Sequence, residues 1–138
     1  MMYWGAMNRS ENEDAAMFLI ENVMPKLVRQ IPDAKLYVVG NKPSARLLAC
    51  TGKNVVVTGF VADPTEIFEK VRVGVVPLRK GAGIKVKTLE MLKAGIPVIS
   101  SPVGAEGVEL GEKLTVVNCD AFLDELTTFF LEKAGELL

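Results

Sequence analysis

Pro77-Leu-Arg-Lys-Gly-Ala-Gly-Ile-Lys-Val-Lys-Thr-Leu-Glu-Met-Leu-Lys-Ala-Gly-Ile-Pro-Val-Ile99 spells out one parallel crossover unit. The apolar run Val73-Gly-Val-Val76 just before it has strand composition. Gly81 and Gly83 permit a tight turn and the close approach of a ligand. The pattern then predicts a helix from about Lys85 to Ala94, stopped by Gly95 where a left-handed cap is favoured. Pro97 opens a further strand, Val98-Ile-Ser100. In an open α/β sheet such a glycine turn lies at the carboxyl edge, where ligands bind. The free N–H groups and partial positive charge of the helix start, with Lys85 and Lys87, make a place for a phosphate or diphosphate.

Outward from this unit, the chain reads as one α/β domain of 138 residues. Met2-Tyr-Trp-Gly-Ala6 is a first strand ending at Gly5. A helix is expected from about Asn12 to Gln30, carrying Ala16, Leu19, Ile20, Val23, Leu27 and Val28 at helical spacing. Pro25 cannot bond to the Glu21 carbonyl and should kink or break it. Lys35–Gly40 and Asn54–Gly59 are strands, with Ser44 capping a short helix between them. Asp63-Pro-Thr-Glu66 is a helix start with the signature of a capping box. Leu114–Val117 is the last strand, and Asp120 is placed to cap a final helix bearing Phe122, Leu126, Phe129 and Phe130. Six strands alternating with helices predict a Rossmann-like, three-layer, six-stranded parallel sheet covered on both faces.

Composition narrows the chemistry. The chain contains no histidine, which removes Ser-His-Asp and Cys-His nucleophile systems and histidine-ligated metals. Cys50 and Cys119 are too few for a closed zinc site and suit a reduced, cytoplasmic protein. A net charge of −1 gives no reason to expect nucleic acid as a partner. No apolar run is long enough to span a bilayer.

Each candidate site residue has a plainer reading beside the functional one. Two glycines alone make a turn, and Lys85 and Lys87 alone make a solvated face. Cations in a first helical turn oppose the helix dipole, however, so an anion would relieve them. Glu90 stands between Lys87 and Lys93, with Leu89 and Leu92 expected to be buried. There it can either meet solvent or accept hydrogen bonds from two ribose hydroxyls.

The pattern from Val76 to Ile99, with Tyr37-Val-Val-Gly40, Val57-Thr-Gly-Phe-Val61 and Val103-Gly-Ala-Glu-Gly107 in the same order, resembles the group 1 glycosyltransferases. The likeness covers nearly the whole chain. It lies in the C-terminal, donor-binding domain of the two-domain GT-B architecture.

The resemblance implies a retaining, metal-independent enzyme of hexosyltransferase type whose donor is a UDP-, GDP- or ADP-sugar, with no further cofactor. It implies that Gly81, Gly83, Ile84, Lys85 and Arg9 meet the donor diphosphate and Glu90 the ribose. Phe60 and Val61 would border the base, with Gly5, Lys87 and Thr88 near the donor. Glu90 matches the second acid of the family's Glu-x7-Glu motif, but the first falls on Ala82; the sequence follows instead a Gly-x-Gly-x-Lys-x-Lys branch. The resemblance assigns no catalytic residue here. The N-terminal acceptor domain is missing from this chain, so an excised domain or a natural split half is expected, inactive alone. An exposed apolar surface where that domain sits would allow a homodimer. The parent enzyme would be cytoplasmic, with a peripheral place at the inner face of the membrane open to it.

Three rivals remain at this point. A dinucleotide-dependent oxidoreductase lacks its Gly-x-Gly-x-x-Gly after the first strand, where Gly5-Ala-Met-Asn-Arg9 stands. A sugar-nucleotide epimerase half shares the architecture. A non-catalytic Rossmann-like interaction module would have the same sheet with lysines that merely meet water.

Overall fold

The computed structural model describes residues 1–81, 85–109 and 111–136. The strands are β1 (Met2–Trp4), β2 (Leu36–Val39), β3 (Val55–Gly59), β4 (Gly74–Val76), β5 (Val98–Ser100) and β6 (Leu114–Val116). They form a parallel sheet in the order β3-β2-β1-β4-β5-β6. This is the Rossmann-like architecture that the alternation predicts. The order reverses between β1 and β4, which are neighbours in space though three strands apart in sequence. Such a reversal opens a crevice at the carboxyl ends of the two strands.

The helices are α1 (Ser10–Phe18), α2 (Met24–Gln30), α3 (Ala45–Leu48), α4 (Thr65–Lys70), α5 (Val86–Lys93) and α6 (Phe122–Glu136). Neighbouring residues of a strand point to opposite faces, and β1 shows which helix lies where. Tyr3 reaches Asn12 of α1, and Phe18 of α1 packs edge-on against Phe122 of α6. Trp4 turns the other way, to Phe68 of α4 and Lys87 of α5. The core is continuous through the sheet, with Met2, Leu19, Leu27, Leu36, Val38, Met91, Phe122 and Leu126 all fully buried.

Pro25 does interrupt the first helix. Leu19–Val23 form a π-helical turn in which the Met24 N–H donates to the Leu19 carbonyl, and Pro25 opens α2 in the first turn, where it lacks no needed donor. Ser44 caps α3 by accepting from the Leu47 N–H at 3.1 Å. At α4 the expected capping box does not form in that register. Pro64 occupies the cap position, and Asp63 accepts instead from the backbone N–H and hydroxyl of Thr65. Those bonds favour the carboxylate form and hold the Asp63 pKa below its usual value. Asp120 is not a cap either: it lies inside a 3-10 turn, Cys119–Ala121, that leads into α6.

The buried face of α5 also differs from expectation. Thr88 and Met91 are buried, whereas Leu89 and Leu92 are only half-buried. Gly74 on β4 is the reason, since a Cβ there would stand 2.7 Å from Met91 Sδ. The missing side chain makes the recess that Met91 fills, and Leu89 and Leu92 lie instead along a groove shared with Val108 and Leu114. Among the described residues, no helix is long and apolar enough to cross a membrane.

Candidate functional site

A cleft of about 400 Å³ opens at the reversal between β1 and β4. One wall is the exit of β1, with Trp4, Gly5, Ala6 and Arg9; the other is the exit of β4, with Val76, Leu78, Lys80 and Gly81. The first turn of α5 closes it with Lys85, Val86, Lys87 and Thr88. Arg9, Lys80, Lys85 and Lys87 place four cationic side chains around the space, against one carboxylate, Glu11. A concave lining with one dominant sign of charge attracts and concentrates anions.

The start of α5 faces this cleft. Lys85 occupies the cap position with non-helical backbone angles and no side-chain cap bond, so the first N–H groups have no side-chain acceptor there. Gly81 has a φ of +123°, and a Cβ there would stand 3.1 Å from Lys85 Nζ. The ammonium thus lies against the bare backbone of the turn. Lys87 Nζ sits 4.3 Å from the centroid of the Trp4 ring.

Hydrogen bonds hold both walls. The Tyr3 hydroxyl donates to Asn12 Oδ1 at 2.7 Å, and Asn12 Nδ2 donates to the Ala6 carbonyl at 2.9 Å, fixing the turn after β1. On the other side Ser101 Oγ donates to the Leu78 carbonyl at 2.5 Å and accepts from the Gly104 N–H at 3.1 Å. Thr88 Oγ1 donates to the Gly104 carbonyl at 3.2 Å. The segment Val103–Gly107 therefore braces the exit of β4 against the first turn of α5.

Burial, and secondarily the negative charge of Glu11, pushes the Tyr3 pKa above its usual value. The folded state keeps the neutral phenol, while the unfolded chain ionises near pH 10. Stability from this group is therefore complete below about pH 10 and falls as pH rises further. Absorbance at 295 nm, taken as the difference between wild type and Tyr3→Phe, is expected to show the Tyr3 phenolate only as the protein unfolds. Ionisation in the native protein near pH 10 would contradict this burial.

Of the residues singled out from sequence, Gly5, Arg9, Gly81, Lys85, Lys87 and Thr88 converge on the cleft. Gly83 and Ile84 lie outside the described residues, as does Ala82. Glu90 is exposed on α5, three and four residues beyond Lys87 and Val86, and so follows them along the same side of the helix. Phe60 is 73% exposed just after β3, and Val61 beside it is half-buried against the core; neither lines the cleft. Sequence reasoning missed Trp4, Asn12, Lys80 and Ser101. Trp4 and Lys80 flank recognised positions, whereas Asn12 lies three residues past Arg9 and only the fold shows that it turns back to Ala6. Ser101 carried no sequence signal.

The chain matches the family model described as "Glycosyl transferases group 1" over residues 1–131. It is 22% identical over 129 residues to an "Uncharacterized 44.6 kDa protein in cps region" of Klebsiella pneumoniae, covering 86% of this chain and 33% of that protein. It thus spans about a third of the length of this curated relative. Among solved structures, it is similar to the C-terminal domain of a glycosyl transferase group 1 family protein (LpcC) of Francisella tularensis. That likeness has a TM-score of 0.68 at 19% identity, over 94% of this chain and 74% of that one. It is also similar to the glycosyltransferase GlyE of Streptococcus pneumoniae TIGR4, with a TM-score of 0.57 at 12% identity, over 96% of this chain and 32% of that one. At these identities the structures speak for the fold; the family match, over nearly every residue, identifies the chain as a member of the group 1 glycosyl transferases.

Proposed function

We propose that this chain is the donor-binding domain of a retaining, metal-independent glycosyltransferase that moves a hexosyl group from a nucleoside-diphosphate sugar to an acceptor hydroxyl. The observation that carries the reading is the cationic cleft at the start of α5, where Arg9, Lys80, Lys85 and Lys87 surround a space beside uncapped helix amides. In this reading Gly81, Lys85 and Arg9, with Gly83 and Ile84, meet the diphosphate. Glu90 accepts from the ribose hydroxyls, and Phe60 and Val61 border the base. When the glycosidic bond breaks, negative charge gathers on the departing diphosphate. Positioned N–H groups and ammonium groups stabilise that charge without having to reorganise. Transfer also requires an acceptor held against the donor in a cleft that excludes water. A second domain supplies that in the two-domain architecture, so this domain by itself binds the donor and transfers little.

A thermal-shift panel with UDP, GDP, ADP and NAD tests the reading, because a ligand bound only by the folded state raises the melting temperature. One of the nucleoside diphosphates is expected to stabilise the protein; stabilisation by NAD alone would favour an oxidoreductase. With the responding nucleotide, Lys85→Ala is expected to lose about 1.5–3 kcal/mol of binding, the worth of a charge-assisted hydrogen bond. Glu90→Ala is expected to weaken a nucleoside diphosphate but not inorganic pyrophosphate, which has no ribose. Unchanged dissociation constants in both variants would defeat the site assignment.

A further inference from the structure

Trp4 is the only tryptophan of the chain and stands at the end of β1, half-buried, on the wall of the cleft. Its ring is fixed from one side by Phe68 of α4, edge-on with centroids 5.7 Å apart. Over it lies the Lys87 ammonium, 4.3 Å from the centroid. Among the described residues Lys87 has no carboxylate partner; the ion pair found there is Arg46–Glu21, away from the cleft. A lysine in the first turn of a helix is unfavourable against the dipole, and its four-carbon stem loses rotamer freedom when the head is ordered. The negative face of an indole answers both, holding the cation without neutralising it. A carboxylate in the same place would hold Lys87 more firmly but cancel its charge.

We propose that Trp4 is a positioning residue for the anion site: its ring holds the Lys87 ammonium at the cleft wall, so that the charge is in place before a diphosphate arrives. This rests on the donor-binding reading above and adds a residue and a device to it. Ordering a flexible cation beforehand lowers the entropy lost on binding. The contribution therefore appears in affinity for the charged part of the ligand and not for the nucleoside.

The test is a double-mutant cycle on Trp4 and Lys87, read as dissociation constants for whichever of UDP, GDP and ADP binds, for the matching nucleoside, and for inorganic pyrophosphate. Lys87→Ala is expected to weaken the diphosphates by about tenfold. Trp4→Leu, which keeps bulk but removes the π face, is expected to weaken them by about threefold to tenfold. Trp4→Phe should restore most of that loss. In the Lys87→Ala background, Trp4→Leu should have no further effect. Equal losses with and without Lys87 would reduce Trp4 to a packing role, and an equal loss for the uncharged nucleoside would make it a base-stacking surface; either overturns the proposal. If Lys85→Ala weakens binding while Trp4→Leu and Lys87→Ala do not, this inference alone fails. If the wild type binds none of the nucleotides, the donor reading fails with it.

Discussion

Gly40→Ala is expected to leave little folded protein. A Cβ at residue 40 would stand 1.6 Å from the Gly5 carbonyl oxygen and 2.7 Å from its carbon, with φ at +148°, a conformation that L side chains rarely adopt. The obstruction is backbone, so no rotamer change relieves it. Nor can either strand end retreat easily: the Gly40 N–H donates to the Gly59 carbonyl at 3.1 Å, the Gly5 N–H to Val39 at 2.9 Å, and the Met7 N–H to Asn41 at 3.0 Å. Separating them breaks the ladder between β1 and β2 at its carboxyl end. We expect a loss of about 4 kcal/mol or more, in the range reserved for severe backbone and packing conflicts, read as a collapse of the urea midpoint. Because Gly5 forms part of the cleft wall, any folded remainder should also bind nucleotide poorly. Wild-type stability in Gly40→Ala would mean that the two strand ends do not meet as described.

Phe122→Ala is expected to cost about 3–5 kcal/mol, as for other large aromatic residues removed from a core. Phe122 is fully buried at the start of α6, edge-on to Phe18 of α1 with centroids 6.4 Å apart. Phe18 in turn carries the Arg79 guanidinium 4.9 Å above its ring. The last helix is thus fastened to the first, and the first supports the segment that leaves β4 toward the cleft. Phe122→Leu keeps most of the volume and should recover more than half of the loss in urea denaturation. An alanine variant within 1 kcal/mol of wild type, on the scale of a surface change, would show that α6 does not dock through this residue.

Local chemistry explains what could be read without the fold. Gly95 adopts φ +86° after α5, as a left-handed cap requires, and Pro25 stands where the first helix changes winding. These are effects of single residues on their own backbone, so the sequence displays them. The face that α5 buries is different in kind. Met91 rather than Leu92 goes inward because Gly74, on a strand distant in sequence, leaves room for it. Leucine and methionine are both apolar, and periodicity alone does not choose between them. In the candidate site the same boundary holds. Gly81, Lys85 and Lys87 lie within seven residues of one another, so a glycine turn leading into a lysine-bearing helix start is legible along the chain as a candidate site. Trp4 and Ser101 belong to it only because β1 and β5 flank β4, and adjacency of that sort is decided by sheet order.

The sheet is joined unevenly. β2 and β3 share four registered residue pairs, and β4–β5 and β5–β6 share three each, but β1 and β4 share only Met2 with Gly74. The molecule is therefore two three-stranded leaves stitched along their thinnest seam, and the cleft lies across the top of that seam, taking a wall from each leaf. Whatever fills it touches both leaves at once and acts as a clasp where the backbone itself supplies the least adhesion.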